Sequence, residues 1–352
     1  TIHELGVSGL VAGGYSAGGV VGYSRGDVSA CYNACTVTGS SATGGVVGSS
    51  SGSVGGSYNI GSVIVTGDNA GGVIGYNFGD VSSCYNAGTV EGGLNVGGVI
   101  GYNLGEVSSC YNTRNLIGEG SHVGGIVGFN LNGAIVNDCY NNGRVTGDTS
   151  VGGVVGTNNS NATVSSSYNI GFVSGNEDVG GVVGANEGVV THTYYNNEVY
   201  AAPDDMEGAT GKTTEQFASG EVTWLLQRGY EETGDLMYQV WGQTLSGETP
   251  DACPILTNDN TKAVLKATFM TTDEHADSFT EYAVEYVNMN DTVTLPQTPS
   301  TINKTEFAYW TTSADTAANP PSNTQDNAFD ASIGLTEDAT VYAVYARQFI
   351  ST

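Results

Sequence analysis

The segment GGVIGYNFGDVSSCYN begins at Gly71 and returns 26 residues later, almost unchanged, as GGVIGYNLGEVSSCYN. Its opening pattern is two glycines, two residues of Val or Ile, and a third glycine, and it occurs seven times. The first glycines of the seven copies are Gly18, Gly44, Gly71, Gly97, Gly124, Gly152 and Gly180. Successive copies are 26, 27, 26, 27, 28 and 28 residues apart. A period this short and regular is typical of a solenoid, in which each repeat forms one coil and stacks on the next.

The composition of each repeat predicts strands rather than helices. Its apolar pieces are short and are separated by Gly, Asn and Ser, which are signals for strands and turns. Three pieces recur: the pattern G-x-V-x-x-C/S/T-Y-N, the pattern V-x-G, and the glycine-rich opening itself. We therefore predict an all-β fold, a right-handed parallel β-helix of about seven coils over residues 1–200. Neighbouring coils are expected about 4.8 Å apart.

Stacking places equivalent residues of successive coils in columns, and two columns consist of Asn. We expect their side chains to hydrogen-bond along the column and their backbone to adopt the left-handed conformation of tight turns. The first column is Asn33, Asn59, Asn86, Asn112, Asn141 and Asn169, with Asn196 one residue late in the seventh coil. The second is Asn77, Asn103, Asn130, Asn158 and Asn186. The glycine pairs mark bends where a side chain would collide or φ must be positive.

Two further columns are aromatic, and they are the candidate ligand-binding residues. An exposed aromatic column can stack on sugar rings or contact a protein partner, whereas a buried one belongs to the core. The tyrosine column is Tyr32, Tyr58, Tyr85, Tyr111, Tyr140, Tyr168 and Tyr194, and the second aromatic column is Tyr23, Tyr76, Tyr102 and Phe129. The residues predicted to contact a ligand are Tyr76, Tyr102, Phe129, Tyr85, Tyr111 and Tyr140.

Charge restricts the partners of this chain. It has 36 acidic and only 9 basic residues, a formal net charge of −27. Nucleic acids and anionic membranes attract positive surfaces, so neither is an expected partner. The sequence also lacks an apolar run of 18 residues, which argues against direct membrane insertion. The stretch Gly6-Val7-Ser8-Gly9 matches the end of a coil, so we expect a fragment whose targeting and anchoring signals lie outside it.

Four of the six cysteines occupy one column, directly before the tyrosine. They are Cys31, Cys84, Cys110 and Cys139, and other coils have Ser57, Ser167 and Thr193 there. Parallel neighbours in direct register match disulfide torsions poorly. Cys35 and Cys253 complete the six. We expect buried thiols, with a disulfide framework as the open alternative.

Catalytic and metal chemistry find little support in the sequence. Asp80 and Glu106 lie on adjacent coils, roughly 5 Å apart, which is a spacing that retaining glycosidases also use. With Asp27 they form a partial column to which no other Asp, His or Arg is added, so we interpret them as solvated turn carboxylates. Acidic residues also precede the glycine pairs and would form an acidic edge, which leaves calcium binding open. These are Asp68, Glu91, Glu119, Asp148, Glu177 and Asp178. The four histidines, His3, His122, His192 and His275, are scattered. No catalytic residue, cofactor or metal ligand is predicted.

Two segments follow the solenoid. Residues 201–260 are predicted to cover the open end of the last coil, with one helix over about 213–228 and with Trp241 on or beside that coil. We expect Thr213 to cap the N-terminus of this helix and Gly229 to end it. Residues 261–352 contain few glycines and several alternating strands, which predict a small β-rich domain with its own core.

The unit G-x-V-x-x-C-Y-N, V-x-G, GGVVG resembles the GLUG motif repeat over residues 6–200. The stretches KTTEQFASGEV (212–222) and VWGQ (240–243) are similar to the segment that usually follows such repeats. Residues 262–350 resemble the Listeria–Bacteroides repeat, also known as the internalin B-repeat. The stretches that carry the resemblance are DTVTLP (291–296), FAYW (307–310) and LTEDATVYA (335–343). Thr305-Glu306 replaces the Gly-Tyr pair usual in that repeat. The second resemblance implies a β-grasp-like module.

Both resemblances imply an extracellular region of a bacterial surface protein, mainly of Gram-positive bacteria, that is secreted or attached to the cell wall. We therefore expect a non-catalytic stalk or adhesive region whose partner is a glycan or protein on a host or cell surface. A second hypothesis is an accessory substrate-binding or spacer region of a larger secreted peptidase or glycan-active enzyme. A third is a β-helix polysaccharide lyase or hydrolase.

Overall fold

The computed structural model describes residues 1–200, 208–229, 240–272, 278–302, 305–319 and 327–346. The chain divides into two compact units, Thr1–Thr214 and Glu215–Thr352. The boundaries predicted at residues 200 and 260 stay predictions. The strand Ala209–Lys212 pairs in parallel with Thr193–Asn196, so the first unit continues past residue 200.

The first unit is a parallel β-solenoid in which equivalent strands of successive coils pair side by side. Sheet 1 contains Ile2–His3, Val28–Ser29, Val54–Gly55, Val81–Ser82, Glu106–Ser108, Ile135–Asn137, Thr163–Ser165 and Val189–Thr191. Sheet 2 contains Gly6–Ala12, Tyr32–Gly39, Tyr58–Asn59, Val63–Val65, Tyr85–Asn86, Val90–Gly92, Tyr111–Asn112, Leu116–Gly118, Tyr140–Asn141, Val145–Thr146, Tyr168–Asn169, Val173–Ser174, Thr193–Asn196 and Ala209–Lys212.

The other two sheets of the solenoid flank the glycine pairs. Sheet 3 contains Thr43–Gly44, Ala70–Gly71, Val96–Gly97, Ser121–Gly124, Thr149–Gly152 and Glu177–Gly180. Sheet 4 contains Val21–Ser24, Val47–Ser50, Ile74–Asn77, Ile100–Asn103, Val127–Asn130, Val155–Asn158 and Val183–Asn186. The predicted β-helix of about seven coils is therefore confirmed.

The register follows the sequence repeat, because Tyr85 pairs with Tyr58 on one side and with Tyr111 on the other. The core is filled mainly by Val and Ile. From the second coil onward both apolar residues of the opening are buried, although consecutive residues of a straight strand face opposite sides, and in the first coil Val20 and Val21 are half-buried. This is possible because Val46 and its equivalents lie at the corner between sheets 3 and 4, just before sheet 4 begins at Val47.

The two Asn columns form continuous hydrogen-bond ladders inside the solenoid. In the first, each side-chain amide donates to the next Asn carbonyl oxygen, over N···O distances of 2.7 to 2.8 Å from Asn33 to Asn169. The second ladder runs from Asn77 to Asn186 over 2.9 to 3.0 Å. The column position after Asn169 is taken by Tyr195, and the Asn196 amide donates to the Thr214 hydroxyl instead.

Asn86 illustrates how completely these side chains are satisfied. Its amide donates to the Gly88 carbonyl at 2.7 Å and to Asn112 Oδ1 at 2.8 Å. Its own Oδ1 accepts from the Gly88 N–H at 3.2 Å and from Asn59 Nδ2 at 2.8 Å. Two donors and two acceptor sites are the full capacity of an Asn side chain. The buried ladder therefore leaves no polar atom of Asn86 without a partner.

The left-handed positions of the solenoid are not in the Asn ladders, so that part of the prediction is wrong. Each coil instead bends at two other columns with positive φ. The first is Ala30, Gly56, Ser83, Ser109, Asp138, Ser166 and His192, and the second is Ser16, Ala42, Asn69, Asn95, His122, Ser150 and Asp178. The glycine pairs have no positive φ but leave no room for a side chain. A Cβ on Gly72 would lie 2.0 Å from the Gly98 carbonyl oxygen.

The cysteine column lies in the core, as predicted. Cys31, Cys84, Cys110 and Cys139 are buried free thiols, and so is Cys35. The Cys84 N–H donates to the Cys110 sulfur at 3.4 Å. The neighbouring Cys110 thiol and burial raise the pKa of Cys84, which keeps this thiol protonated and chemically inert.

The second unit contains a mixed four-stranded sheet, in the order Phe279–Asn288, Val264–Thr272, Ala339–Ala346 and Glu306–Thr311. The two central strands are parallel and each edge strand is antiparallel to its neighbour. Phe269 and Trp310 pack edge to face in its core, with ring centroids 5.0 Å apart. A short antiparallel pair joins Trp241–Gly242 to Ile255–Leu256, and a 3₁₀ turn spans Asn260–Lys262. The predicted small β-rich domain is confirmed.

The single predicted helix is two helices, α1 at Thr214–Ala218 and α2 at Glu221–Arg228, and a third, α3, spans Ala314–Ala318. Gly220 separates α1 from α2 with φ of 93°, a left-handed conformation that ends a helix. Helix α2 contacts the C-terminal sheet, since the Trp224 indole donates to the Asp338 carboxylate at 2.9 Å. The predicted role of the helix as a cover for the last coil stays a prediction.

The Asn ladder predicts that Asn86→Ala destabilises the solenoid by about 3 kcal/mol, because buried groups of Asn59, Gly88 and Asn112 lose their partner. Urea unfolding of the full chain measures the change. Asn142→Ala is the matched control, since Asn142 is exposed and lies just outside the ladder. Equal loss of stability in the two variants would contradict a stabilising role of the ladder.

Candidate ligand-binding surface

The tyrosine column is a continuous stack of rings on the outside of sheet 2. Ring centroids are 4.7 to 5.3 Å apart and adjacent rings are within 2° to 9° of parallel from Tyr32 to Tyr168. This spacing follows from the in-register pairing of parallel strands, which places identical side chains about 4.8 Å apart. The face of each inner ring is therefore covered by its neighbours.

Exposure varies along the tyrosine column. Tyr32 is exposed and the four rings from Tyr58 to Tyr140 are half-buried, whereas Tyr168 and Tyr194 are buried. Solvent reaches the edges of the half-buried rings. A sugar that binds by stacking needs an open ring face. The candidate residues Tyr85, Tyr111 and Tyr140 therefore present edges rather than faces to a ligand.

The second aromatic column is shorter and has additional neighbours on sheet 4. Tyr76 and Tyr102 stack at 4.5 Å between centroids, and Tyr102 stacks on Phe129 at 5.5 Å. Phe78 packs at a tilt on Tyr76 at 4.8 Å, and its side chain is 52% exposed. The His122 ring meets Phe129 edge to face at 4.7 Å. The structure thus brings Tyr76, Tyr102 and Phe129 together.

Sequence reasoning missed three apolar residues that lie on the same surface. Phe78, Leu104 and Leu131 each follow the second-ladder Asn of their coil, and none is buried. Period-two alternation could have found them, because the residues on either side of an inward-facing Asn point outward. Their column holds Ser51 and Asn159 in the neighbouring coils, so it is not an aromatic repeat.

Burial changes the protonation of the aromatic and imidazole groups on these surfaces. Partial burial, together with the neighbouring phenol of Tyr58, raises the pKa of Tyr85. Tyr111 has its pKa raised by the same two causes, with Tyr85 as the neighbour. Burial lowers the pKa of His122, whose Nδ1 lies 2.6 Å from the Thr157 hydroxyl. Burial therefore favours the uncharged forms of these two phenols and of the imidazole.

The carboxylates of the partial acidic column lie at the surface. Asp80 and Glu106 are exposed, and the residues after them, Val81 and Val107, pair in register, so the two acids belong to adjacent coils. The Asp27 carboxylate accepts the hydroxyl of Ser53 at 2.8 Å. Among the residues that the structure describes, neither Asp80 nor Glu106 has an ion-pair partner.

The acidic residues before the glycine pairs do not form one edge, so that prediction is wrong. Glu91 lies in sheet 2 and pairs with Ile64 and Ile117, whereas Glu177 lies in sheet 3 and pairs with Thr149. In the described ranges no three His, Cys, Asp or Glu side chains are grouped to hold a metal ion. His275 lies outside the described residues.

Comparison with known proteins identifies part of the repeat. Residues 119–146 match the family model described as the GLUG motif. This segment is one coil in length and contains Phe129 and Tyr140, one residue from each aromatic column. No curated protein and no solved structure matches the chain. The match supports the predicted GLUG repeat, whereas the internalin-like module at the C-terminus stays a prediction.

No helix in the described part of the chain combines the length and the apolar character that crossing a membrane requires.

The raised pKa values of Tyr85 and Tyr111 predict a loss of stability in alkali. Below pH 10, the ordinary pKa of tyrosine, both phenols are protonated in the folded and in the unfolded chain, so the stability is unaffected. Above it, the unfolded chain loses its phenol protons first, so the stability falls as the pH rises. We expect the double variant Tyr85→Phe and Tyr111→Phe to show a smaller fall in Tm between pH 9 and 11.

Tyr23→Phe is the control for this experiment. A hydrogen bond with the Ser51 hydroxyl lowers the pKa of Tyr23, so its removal should not reduce the alkaline loss. An identical alkaline fall in the double variant and the unaltered chain would show that the stacked phenols do not contribute to it.

Proposed function

We propose that this chain is a non-catalytic, extracellular region of a bacterial surface protein, and that its solenoid serves as a stalk with an adhesive surface. The observation that carries the proposal is that the repeated side chains form contacts between successive coils. Asn, Tyr and Cys recur in coil after coil, and each type is engaged in contacts between coils. The repeat therefore builds a regular support rather than a reaction site.

The covalent and electrostatic chemistry of the solenoid favours this role. The column cysteines are buried and Cys84 is held in its protonated form, so it is a poor nucleophile. The two carboxylates closest to a glycosidase arrangement, Asp80 and Glu106, are both exposed. The exposure of both side chains agrees with their interpretation as solvated turn carboxylates.

The extracellular location is supported by the resemblance of the coils to the GLUG motif, which implies large surface proteins. The net charge of −27 also suits an exposed region, because it opposes association between copies. An accessory region of a larger secreted enzyme would share both properties. The two alternatives differ in whether a catalytic domain is part of the same polypeptide.

Surface location is tested by labelling cells of the source organism with antibodies raised against residues 1–214. We expect intact cells to be labelled and brief protease treatment to remove the signal. An antibody against a cytoplasmic protein is the control and should label only permeabilised cells. Labelling by the first antibody only after permeabilisation would overturn the proposed location.

The non-catalytic role is tested with the purified chain and polyuronate substrates. We expect no release of shortened or unsaturated products. The double variant Asp80→Asn and Glu106→Gln provides the decisive comparison. Product release by the unaltered chain that this variant abolishes would establish the β-helix lyase or hydrolase hypothesis instead.

A further inference from the structure

Six apolar side chains at equivalent positions make up a surface of the third, fourth and fifth coils, three on the outer side of sheet 4 and three directly after its strands. We call this surface the apolar patch. Its members are Tyr76, Phe78, Tyr102, Leu104, Phe129 and Leu131. Tyr76, Tyr102 and Phe129 are paired in register. The backbone pairing continues past them, since the Leu104 N–H donates to the Asn77 carbonyl. Phe78 is exposed and the other five side chains are half-buried. Clustered apolar side chains that reach solvent mark interaction sites.

The apolar character of the patch is not required by the fold. In the second coil the position of Tyr76 is occupied by Ser49, and Ser51 stands where Phe78 would be. In the sixth coil the corresponding residues are Thr157 and Asn159. The same backbone therefore accepts small polar residues on both sides of the patch. Three coils in succession carry large apolar groups that the scaffold does not need.

Ring stacking restricts what can bind there. Tyr102 lies between Tyr76 and Phe129, so both of its faces are covered. A sugar ring cannot lie flat on it. The patch offers ring edges, phenol hydroxyls and leucine methyl groups, and its most exposed member is Phe78, at 52%. Such a surface suits the interdigitating side chains of a protein segment.

Charge beside the patch specifies the segment further. Asp80 follows Phe78 by two residues and Glu106 follows Leu104 by two, and both carboxylates are exposed. No Lys or Arg occurs between residues 26 and 113. The nearest basic residue in the column of Phe78 is Arg25, two coils away and over the ring of Tyr23. The carboxylates are thus free to attract a basic group on a partner.

We propose that the apolar patch docks an extended segment of a partner protein that presents aromatic or aliphatic side chains next to Lys or Arg. A second copy of this chain is a poor occupant, because two chains of charge −27 repel each other. This proposal names the kind of partner that the adhesive role requires, and it therefore rests on the proposed function. Its test uses purified chain, so it can fail while the extracellular location stands, and the reverse also holds.

The decisive variant carries Phe78→Ser, Leu104→Ser and Leu131→Asn, which introduce residues that other coils already have at these positions. The probe is a fluorescein-labelled peptide of alternating Leu and Lys, and binding is measured by fluorescence anisotropy. We expect the triple variant to weaken binding at least about tenfold, because central apolar groups dominate such interfaces. An unchanged Tm shows that the variant is folded. If the triple variant fails to fold, Phe78→Ser alone should weaken binding about threefold.

The matched control carries Ile64→Thr and Ile117→Thr. Both isoleucines are exposed on sheet 2, at 40% and 48%, and both pair with a threonine in the adjacent coil. We expect binding of the Leu/Lys peptide to this control within about twofold of the unaltered chain. An equal loss of affinity in the control and in the triple variant would overturn the assignment of the patch.

Two further peptides separate the apolar contribution from the charge. Alternating Leu and Glu should not bind, and alternating Lys and Ser should bind at least about tenfold more weakly than Leu/Lys. Asp80→Asn with Glu106→Gln should weaken Leu/Lys binding and reduce its dependence on salt. Equal affinity for the Lys/Ser and Leu/Lys peptides would overturn the proposal. So would binding of a glycan, or formation of a dimer, that the unaltered chain shows and the triple variant does not.

Discussion

Direct stacking of identical side chains, one coil above the next, is the constraint on which the solenoid depends. Paired parallel strands are about 4.8 Å apart. This distance allows a carboxamide to hydrogen-bond to its equivalent in the next coil and allows a phenol ring to stack on its equivalent. The Asn ladders and the tyrosine column thus share one register. A slip of one residue in the third, fourth or fifth coil would break both ladders and both aromatic stacks together, so the arrangement is strongly specified.

Variation in repeat length is absorbed without disturbing the ladders. In the fourth coil the Asn103 amide donates to the carbonyl of Gly105, two residues on. In the fifth coil the turn is longer and passes through Asn132 and Gly133, which both have positive φ. The Asn130 amide there donates to Ala134, four residues on. The ladder Asn keeps its bond to the turn in both cases, which explains how a period of 26 to 28 residues maintains one register.

The sequence predicted the features that depend on spacing and missed those that depend on the path of the backbone. The coil number, the ladders and the collisions at the glycine pairs follow from the period and the residue types alone. The left-handed positions did not, because Ala30 and His122 adopt positive φ, whereas glycine or asparagine was expected there. The break between α1 and α2 depends on the left-handed conformation of Gly220, which the capping pattern did not reveal. Phe78 and Leu104 were missed because the candidate site was defined by aromatic repetition, although exposure depends on alternation.

A long regular stack of this kind commits most of its repeated side chains to structure, so specificity has to reside in the outward positions that differ between coils. Such positions carry a risk, since exposed apolar groups on a β-sheet promote association between copies. The acidic surface reduces this risk in a selective way. Any two copies of the chain repel each other, whereas a basic partner is attracted by the same negative charges. High negative charge and an exposed apolar patch are therefore complementary properties: the first allows the second to remain exposed without self-association.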